Sequence, residues 1–179
     1  IRKQLDMGLV QQAIEHMQDI KSKDHEIIAI FYYILMSFRI PENDHYFKKA
    51  KELVLKNINK FDRSFQFEVS DALYGLFSFR MMNNSAIENY RDTFDIINFR
   101  LKKKIYKEND KSHFDAISFR AIFLTGIRLK EYEWLKKFLK KYINEVTPGH
   151  RDNLFNLLCS YNKFFEKKFE DSLEYLNKV

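Results

Sequence analysis

The chain has 179 residues, 45% of them hydrophobic and 31% charged, which excludes a disordered chain and allows a sizeable core. Its 31 basic and 25 acidic residues give a net charge of +6, a modest excess. The four glycines and two prolines are too few for the many tight turns of a sheet protein. The composition therefore predicts an all-α fold.

Hydrophobic periodicity divides the chain into nine predicted helices. They cover about residues 8–21, 24–39, 43–59, 63–82, 85–106, 112–129, 131–146, 150–166 and 169–179. The candidate N-caps are Asp24 for the second predicted helix and either Asn43 or Asp44 for the third. Pro41 ends the second helix. The polar segment 107–111 predicts a longer, mobile loop.

Apolar residues in these helices recur at steps of three and four, as a core-facing stripe requires. The helix over 131–146 has the clearest pattern, with lysines 136, 137, 140 and 141 on its opposite face. The apolar run 27–36 is too short for a membrane span, which needs ~20 residues, and predicts a helix buried on most sides. The predicted stripes are Phe47, Ala50, Val54 and Ile58; Ile87, Tyr90, Phe94, Ile97 and Leu101; and Trp134, Leu135, Phe138, Leu139, Tyr142, Ile143 and Val146.

Two glycines and the cysteine fall inside helical patterns. Gly75 and Gly126 each cost about 1 kcal/mol relative to alanine, so we expect both to mark close approach of helices. Cys159 is the only cysteine, which excludes an internal disulfide and predicts a buried, unreactive thiol. Because residues 1–5 do not resemble a secretory signal, a reducing cytoplasm is the expected location.

One spacing recurs five times: an apolar residue, two polar or mixed residues, then a residue that is small in three of the five copies. Successive copies are 37, 40, 45 and 37 residues apart. A period of this size in a helical chain indicates stacked helical hairpins, a solenoid of about four to five hairpins in a single domain over 1–179. Because the chain opens inside a repeat, we expect it to be a fragment of a longer array. The copies are Val10–Ala13, Phe47–Ala50, Ile87–Tyr90, Tyr132–Leu135 and Phe169–Ser172.

The segments 163–176 and 7–15 resemble the turn and second helix of the tetratricopeptide repeat (TPR). The resemblance implies an α–α superhelix whose inner surface, lined by the first helix of each pair, binds a peptide or protein partner. Tyr90 and Leu135 stand where the family usually has alanine, so the third and fourth hairpins are expected to pack more widely.

A broader resemblance covers about residues 27–179. The segments 130–134, 150–153 and 168–170, together with Phe138 and Pro148, are similar to a group of large bacterial TPR-like proteins of uncharacterised function. This resemblance implies a helical array in a bacterial cell and implies no activity.

Residues suited to catalysis, cofactors or metal ions do not form recognisable sets. The histidines, at 16, 25, 45, 113 and 150, lack the spacing of a helical metal site, and the glycines are too scattered for a phosphate-binding loop. We therefore expect a non-enzyme with no catalytic, cofactor-binding or metal-binding residues.

A polar stripe in the helix over 150–166 is the candidate partner-binding surface. It consists of Asn153, Asn156, Ser160 and Lys163, with Arg120 of the preceding pair expected nearby. Such side chains hold an extended peptide through its backbone and carboxylates. The alternative interpretation is that the stripe is the solvated side of an amphipathic helix.

Two lysine runs keep a second function open, that of a nucleic-acid-binding array. They are Lys102–Lys104 with Lys107, and the lysine face of the helix over 131–146. Functional basic stripes usually contain arginine and exposed aromatic residues, whereas here lysine dominates and the aromatic residues fall on the predicted buried stripe. A protein or peptide is therefore the favoured partner.

Overall fold

The computed structural model describes residues 8, 9, 12, 14–16 and 25–179. Over these residues it is helical without strands, which confirms the all-α prediction. Contacts group the chain into two compact units, Ile1–Arg80 and Met81–Val179. Over 25–179 the helices are α1 (His25–Arg39), α2 (Asp44–Asn57), α3 (Arg63–Asn83), α4 (Ile87–Lys103), α5 (Ala116–Arg128), α6 (Tyr132–Tyr142), α7 (Pro148–Phe165) and α8 (Phe169–Leu176), with 3-10 turns at Ile58–Lys60 and Ile143–Glu145.

The predicted first helix is only partly described. Its described residues, namely 8, 9, 12 and 14–16, are helical, as expected. Ala13, the small residue of the first recurring copy, and the candidate cap Asp24 lie outside the described residues.

Local sequence signals explain where several helices begin. Asn43 caps α2, because its Oδ1 accepts a hydrogen bond from the His45 backbone N–H at 3.0 Å. Asp115 caps α5 in the same way, accepting from the Ser118 N–H at 2.7 Å. Pro148 lies in the first turn of α7, where a missing backbone N–H costs nothing.

The core of the first unit follows the predicted stripe of α2. Phe47, Ala50, Val54 and Ile58 are at most 3% exposed. The Phe47 ring lies 4.3 Å from that of Phe77 on α3, centroid to centroid. The predicted burial of the run 27–36 is confirmed only in part, because α1 leaves a stripe of its apolar residues exposed. That stripe is Phe31, Leu35 and Phe38.

In the second unit, the predicted stripe of α4 is confirmed at Ile97 and Leu101, which are 1% and 8% exposed, but the buried face is rotated at the start of the helix. Ile87, expected in the core, is 44% exposed, whereas Asn89 is 8% and Thr93 0% exposed. Thr93 can be buried because its hydroxyl donates to the Asn89 backbone carbonyl at 2.7 Å, so this hydroxyl is not left without a partner. The recurring spacing at Ile87–Tyr90 therefore does not mark the core face.

The link between α4 and α5 is held at its base by Glu145. This carboxylate accepts from the Tyr106 hydroxyl at 2.9 and 2.8 Å and pairs with the Lys107 ammonium at 2.8 Å. The Tyr106 ring also lies 5.3 Å from that of Tyr142. The predicted loop over 107–111 is present, and its first residues are tied to the end of the following hairpin.

The turn that connects α5 to α6 has the same conformation as the turn that connects α7 to α8. The two turns lie 37 positions apart in sequence. Lys130 and Lys167 both adopt the left-handed conformation, with φ of 60° and 63°. The N–H of the next residue reaches back to the carbonyl of Gly126 in one hairpin and of Lys163 in the other, at 2.9 Å each.

The two helical glycines have different surroundings. A Cβ at Gly126 would lie 2.7 Å from Cδ2 of Leu135, which confirms close approach of α5 and α6. Gly75 is exposed, and a Cβ there would meet no described atom within 4 Å, so the expected close approach is wrong at this position. Leu135 replaces the usual alanine of the repeat, but it faces Gly126 of α5. The glycine makes room for the leucine, so Leu135 does not require the wider packing expected for this hairpin.

Alanine substitutions at the two glycines should change stability in opposite directions. Gly75→Ala removes the cost of an exposed helical glycine and should stabilise the protein by about 0.5–1 kcal/mol. Gly126→Ala places a methyl group against the buried Leu135 side chain. This substitution should lower the free energy of unfolding by about 1 kcal/mol, because the cost of overpacking exceeds the gain in helix propensity. Urea unfolding of both variants measures the difference, and a gain in stability at Gly126 would contradict the described contact.

An aromatic cluster forms the centre of the second unit around Phe138. This ring is 3% exposed and stacks on Trp134 at 4.9 Å with an angle of 7° between the planes. It also lies 4.6 Å from the ring of Phe119. The predicted burial of Phe138 is confirmed, while Trp134 is half-buried and donates its indole N–H to Asn98 Oδ1 at 2.9 Å.

Truncating the centre of this cluster should cost far more than truncating an exposed ring of the same type. We expect Phe138→Ala to lower the free energy of unfolding by about 3–5 kcal/mol. Phe164→Ala, which removes a ring that is 54% exposed, should cost less than about 1 kcal/mol. Chemical denaturation distinguishes the two, and equal losses would show that the aromatic cluster is not the core.

Candidate interaction groove

Three of the five predicted partner-binding residues point at α8. The Lys163 ammonium pairs with the Asp171 carboxylate at 2.9 Å, and Asn156 donates its side-chain N–H to the Lys178 carbonyl at 3.3 Å. Ser160 is 3% exposed. The interpretation of these residues as an open polar stripe is therefore wrong for Ser160, while Asn156 and Lys163 stay partly exposed. Their role in partner binding stays a prediction.

The crossing of α7 and α8 depends on two buried serines. The Ser160 and Ser172 hydroxyls lie 3.0 Å apart, and Ser172 Oγ also donates to the Ser160 carbonyl at 3.0 Å. Side chains this small let the two backbones approach closely, and their hydroxyls satisfy each other where water is excluded.

The Lys163–Asp171 pair adds an electrostatic contact at the edge of this crossing. The hydrogen bond from Lys163 lowers the pKa of the Asp171 carboxyl, and the same bond raises the pKa of Lys163. Asp171 is exposed and Lys163 is partly exposed, so solvent weakens the pair, which orients the hairpin and contributes little to its stability.

The other two predicted residues lie elsewhere. Arg120 of α5 donates from Nη2 to the Tyr161 hydroxyl at 3.3 Å, which brings it to α7 as expected. Asn153 is exposed near the start of α7. The five residues therefore do not form one surface.

An apolar groove lies between α7 and α8, with a volume of about 560 Å³. The serine pair lies at the crossing of the two helices, and large apolar side chains form the walls. Phe164, Phe169 and Leu173 are 54%, 55% and 59% exposed. Contiguous apolar surface of this type marks an interaction site more often than isolated exposed residues do. The lining residues are Ser160, Tyr161, Phe164, Phe165, Phe169, Ser172, Leu173 and Leu176.

The preceding hairpin shows what covers the equivalent surface. Four residues of α5–α6 lie 37 positions before groove residues Ser160, Ser172, Leu173 and Leu176, namely Phe123, Leu135, Lys136 and Leu139. They border a cavity of about 160 Å³ whose opposite wall is Cys159, Asn162 and Lys163 of α7 with Tyr175 of α8. The face that is open in α7–α8 is thus covered by helices in α5–α6.

The sequence contained a signal for this groove that the polar-stripe interpretation missed. Phe169, Leu173 and Leu176 follow one another at steps of four and three, and Phe164 and Phe165 precede them on α7. This stripe predicts burial, but periodicity does not say which element buries it.

Cys159 lies beside this groove, in the wall of the smaller cavity. The thiol is partly buried, and loss of solvation raises its pKa to about 11, against a smaller opposing effect of Lys163. Below that pH the neutral thiol predominates, which supports the expectation of an unreactive cysteine.

The raised pKa predicts slow alkylation of Cys159 in the folded protein. An ordinary thiol has a pKa of about 8.5, and a thiolate of higher pKa is intrinsically more nucleophilic, which offsets part of its lower abundance. At pH 8 we therefore expect iodoacetamide to react at least ~10-fold slower than with a small-molecule thiol. The rate should keep rising about tenfold per pH unit up to pH 10, since deprotonation is incomplete until the pKa is passed. Mass spectrometry follows the modification, and the protein in guanidinium chloride is the control. A rate that levels off near pH 9 would contradict the shift.

Two other kinds of site are absent from the part of the chain that the structure describes. No cluster of three or more histidine, cysteine, aspartate and glutamate side chains there is arranged to hold a metal ion. None of its helices combines the length and the apolar character needed to cross a bilayer.

Comparison with protein-family models, with curated proteins and with solved structures finds no match to this chain.

Proposed function

We propose that the protein is a non-catalytic interaction scaffold, a TPR-like α-solenoid that binds a partner protein. The partner presents an amphipathic helix, and the groove between α7 and α8 receives it. The observation that carries this proposal is the open apolar face of α7–α8, whose counterpart in α5–α6 is covered by helices.

The repeated turn supports the solenoid part of the proposal. The turns at Lys130 and Lys167 have the same conformation and the same backbone hydrogen bonds. Their 37-residue offset lies within the range of helical-hairpin repeats. In such arrays each hairpin buries its apolar face only against a neighbour.

The chemistry of the groove defines the partner's surface. Its walls are aromatic and aliphatic, so the partner needs large apolar side chains at positions i, i+3 or i+4, and i+7 of one helix. In α5–α6 the equivalent surface is faced by Cys159, Asn162 and Lys163 of α7 and by Tyr175 of α8. Polar residues beside the apolar stripe are therefore compatible with the partner.

Selection from a displayed library of helical peptides tests the proposal. Peptides enriched on the purified protein should carry the apolar stripe described above, and fluorescence anisotropy measures the affinity of a selected peptide. Leu173→Asp places a charge on an exposed wall of the groove, so it should weaken binding at least tenfold without unfolding the protein.

Ile117→Asp is the matched control, since Ile117 is 80% exposed and does not line the groove. The affinity of the Ile117→Asp variant for the selected peptide should stay within about twofold of that of the parent protein. Equal losses in both variants, or enriched peptides without an apolar stripe, would overturn the proposal. Analytical ultracentrifugation supplies a further outcome: a dimer that Leu173→Asp dissociates would assign the groove to a second copy of the chain instead.

A further inference from the structure

The two lysine runs of the sequence meet at a second cleft, between α4 and α6. Its volume is about 400 Å³. Lys102 comes from the first run, and Lys137 and Lys141 come from the second. The remaining lining residues are Asn98, Leu101, Trp134, Phe138 and Tyr142.

The three lysines of the cleft are exposed, and none forms an ion pair with the residues that the structure describes. Two other lysines of the same unit do form ion pairs, Lys107 with Glu145 and Lys136 with Glu133. No carboxylate lines the cleft, so its potential is positive and an anionic group would reduce the repulsion among the ammonium groups.

The polar wall of the cleft also favours an acceptor. The indole N–H of Trp134 can only donate, so the Asn98 atom it reaches, at 2.9 Å, is the side-chain oxygen. The Asn98 amide nitrogen is thereby directed away from this bond and makes no hydrogen bond within the described chain. The cleft thus offers ammonium and amide donors to its ligand.

The floor of the cleft is apolar but provides little open ring surface. Phe138 and Tyr142 are 3% and 7% exposed, and Trp134 stacks on Phe138 and contacts the Phe94 ring at 4.7 Å. A nucleobase binds chiefly by stacking on an open aromatic face. The rings of this cleft pack against one another, so they leave little of such a face open. An apolar side chain of a peptide needs only apolar surface.

We propose that this cleft binds an acidic peptide segment in which a bulky apolar side chain is flanked by aspartates or glutamates. The apolar side chain packs mainly against Trp134, which is half-buried, whereas Phe138 and Tyr142 are buried beneath it. The flanking carboxylates pair with Lys102, Lys137 and Lys141, which act as single-point charges and do not form the two-pronged contact of arginine. The site is separate from the α7–α8 groove and does not depend on the function proposed for it.

A defined probe tests this assignment by fluorescence anisotropy. The probe is a fluorescein-labelled peptide with one leucine flanked on each side by two glutamates, and a second peptide carries alanine in place of leucine. At 50 mM salt we expect the leucine peptide to bind at least fivefold more tightly than the alanine peptide. Lys137→Glu combined with Lys141→Glu should weaken binding of the leucine peptide at least tenfold.

Lys56→Glu combined with Lys140→Glu is the matched control, because both lysines are exposed, lie outside the cleft and change the net charge by the same amount. Its affinity should change less than threefold, and circular dichroism verifies that both double variants remain folded. Leu173→Asp should leave the peptide's affinity unchanged, which separates this site from the groove.

Three outcomes would overturn the assignment. The first is that the leucine peptide does not bind at 50 mM salt. The second is that both double variants weaken binding of this peptide equally, which would indicate a diffuse positive field and no defined site. The third is that oligothymidylate of equal charge binds more tightly than the peptide and is lost in the cleft variant, which would assign the cleft to single-stranded nucleic acid.

Discussion

The crossing of α7 and α8 through Ser160 and Ser172 is the contact on which the proposed groove depends. The two hydroxyls bond to each other, and Ser172 also donates to the Ser160 carbonyl, so the helices approach closely with both buried hydroxyls satisfied. Close approach at the serines directs the larger side chains outward, to the walls on either side. Asn156 and Lys163 of α7 also bond within this hairpin, and both stay partly exposed.

Periodicity was sufficient to predict the helices and most of their core. The α2 stripe from Phe47 to Ile58 and the buried position of Phe138 follow directly from apolar residues at steps of three and four. The rotation of α4 could not be predicted in this way, because its buried face includes Asn89 and Thr93. Their burial depends on a local hydrogen bond, and hydrophobicity alone assigns such residues to the surface.

The functional surfaces were harder to predict than the fold, and for a related reason. A polar residue in an amphipathic helix faces either solvent or the partner helix of its own hairpin, and only tertiary contacts distinguish the two. Ser160 is the clear example, since it belongs to a polar stripe in sequence and to a helix crossing in the structure. For lysines 102, 137 and 141 the sequence revealed the charges, whereas their convergence required the packing of α4 beside α6.

The Glu145 tie has a consequence for the lysine cleft. Tyr106, which follows α4, is held by Glu145 at the end of the α6 hairpin, and its ring rests on Tyr142 in the cleft floor. A change in the tilt of α4 would strain these bonds, so they restrict changes in the width of the cleft. Preorganisation of this kind lowers the entropic penalty of association.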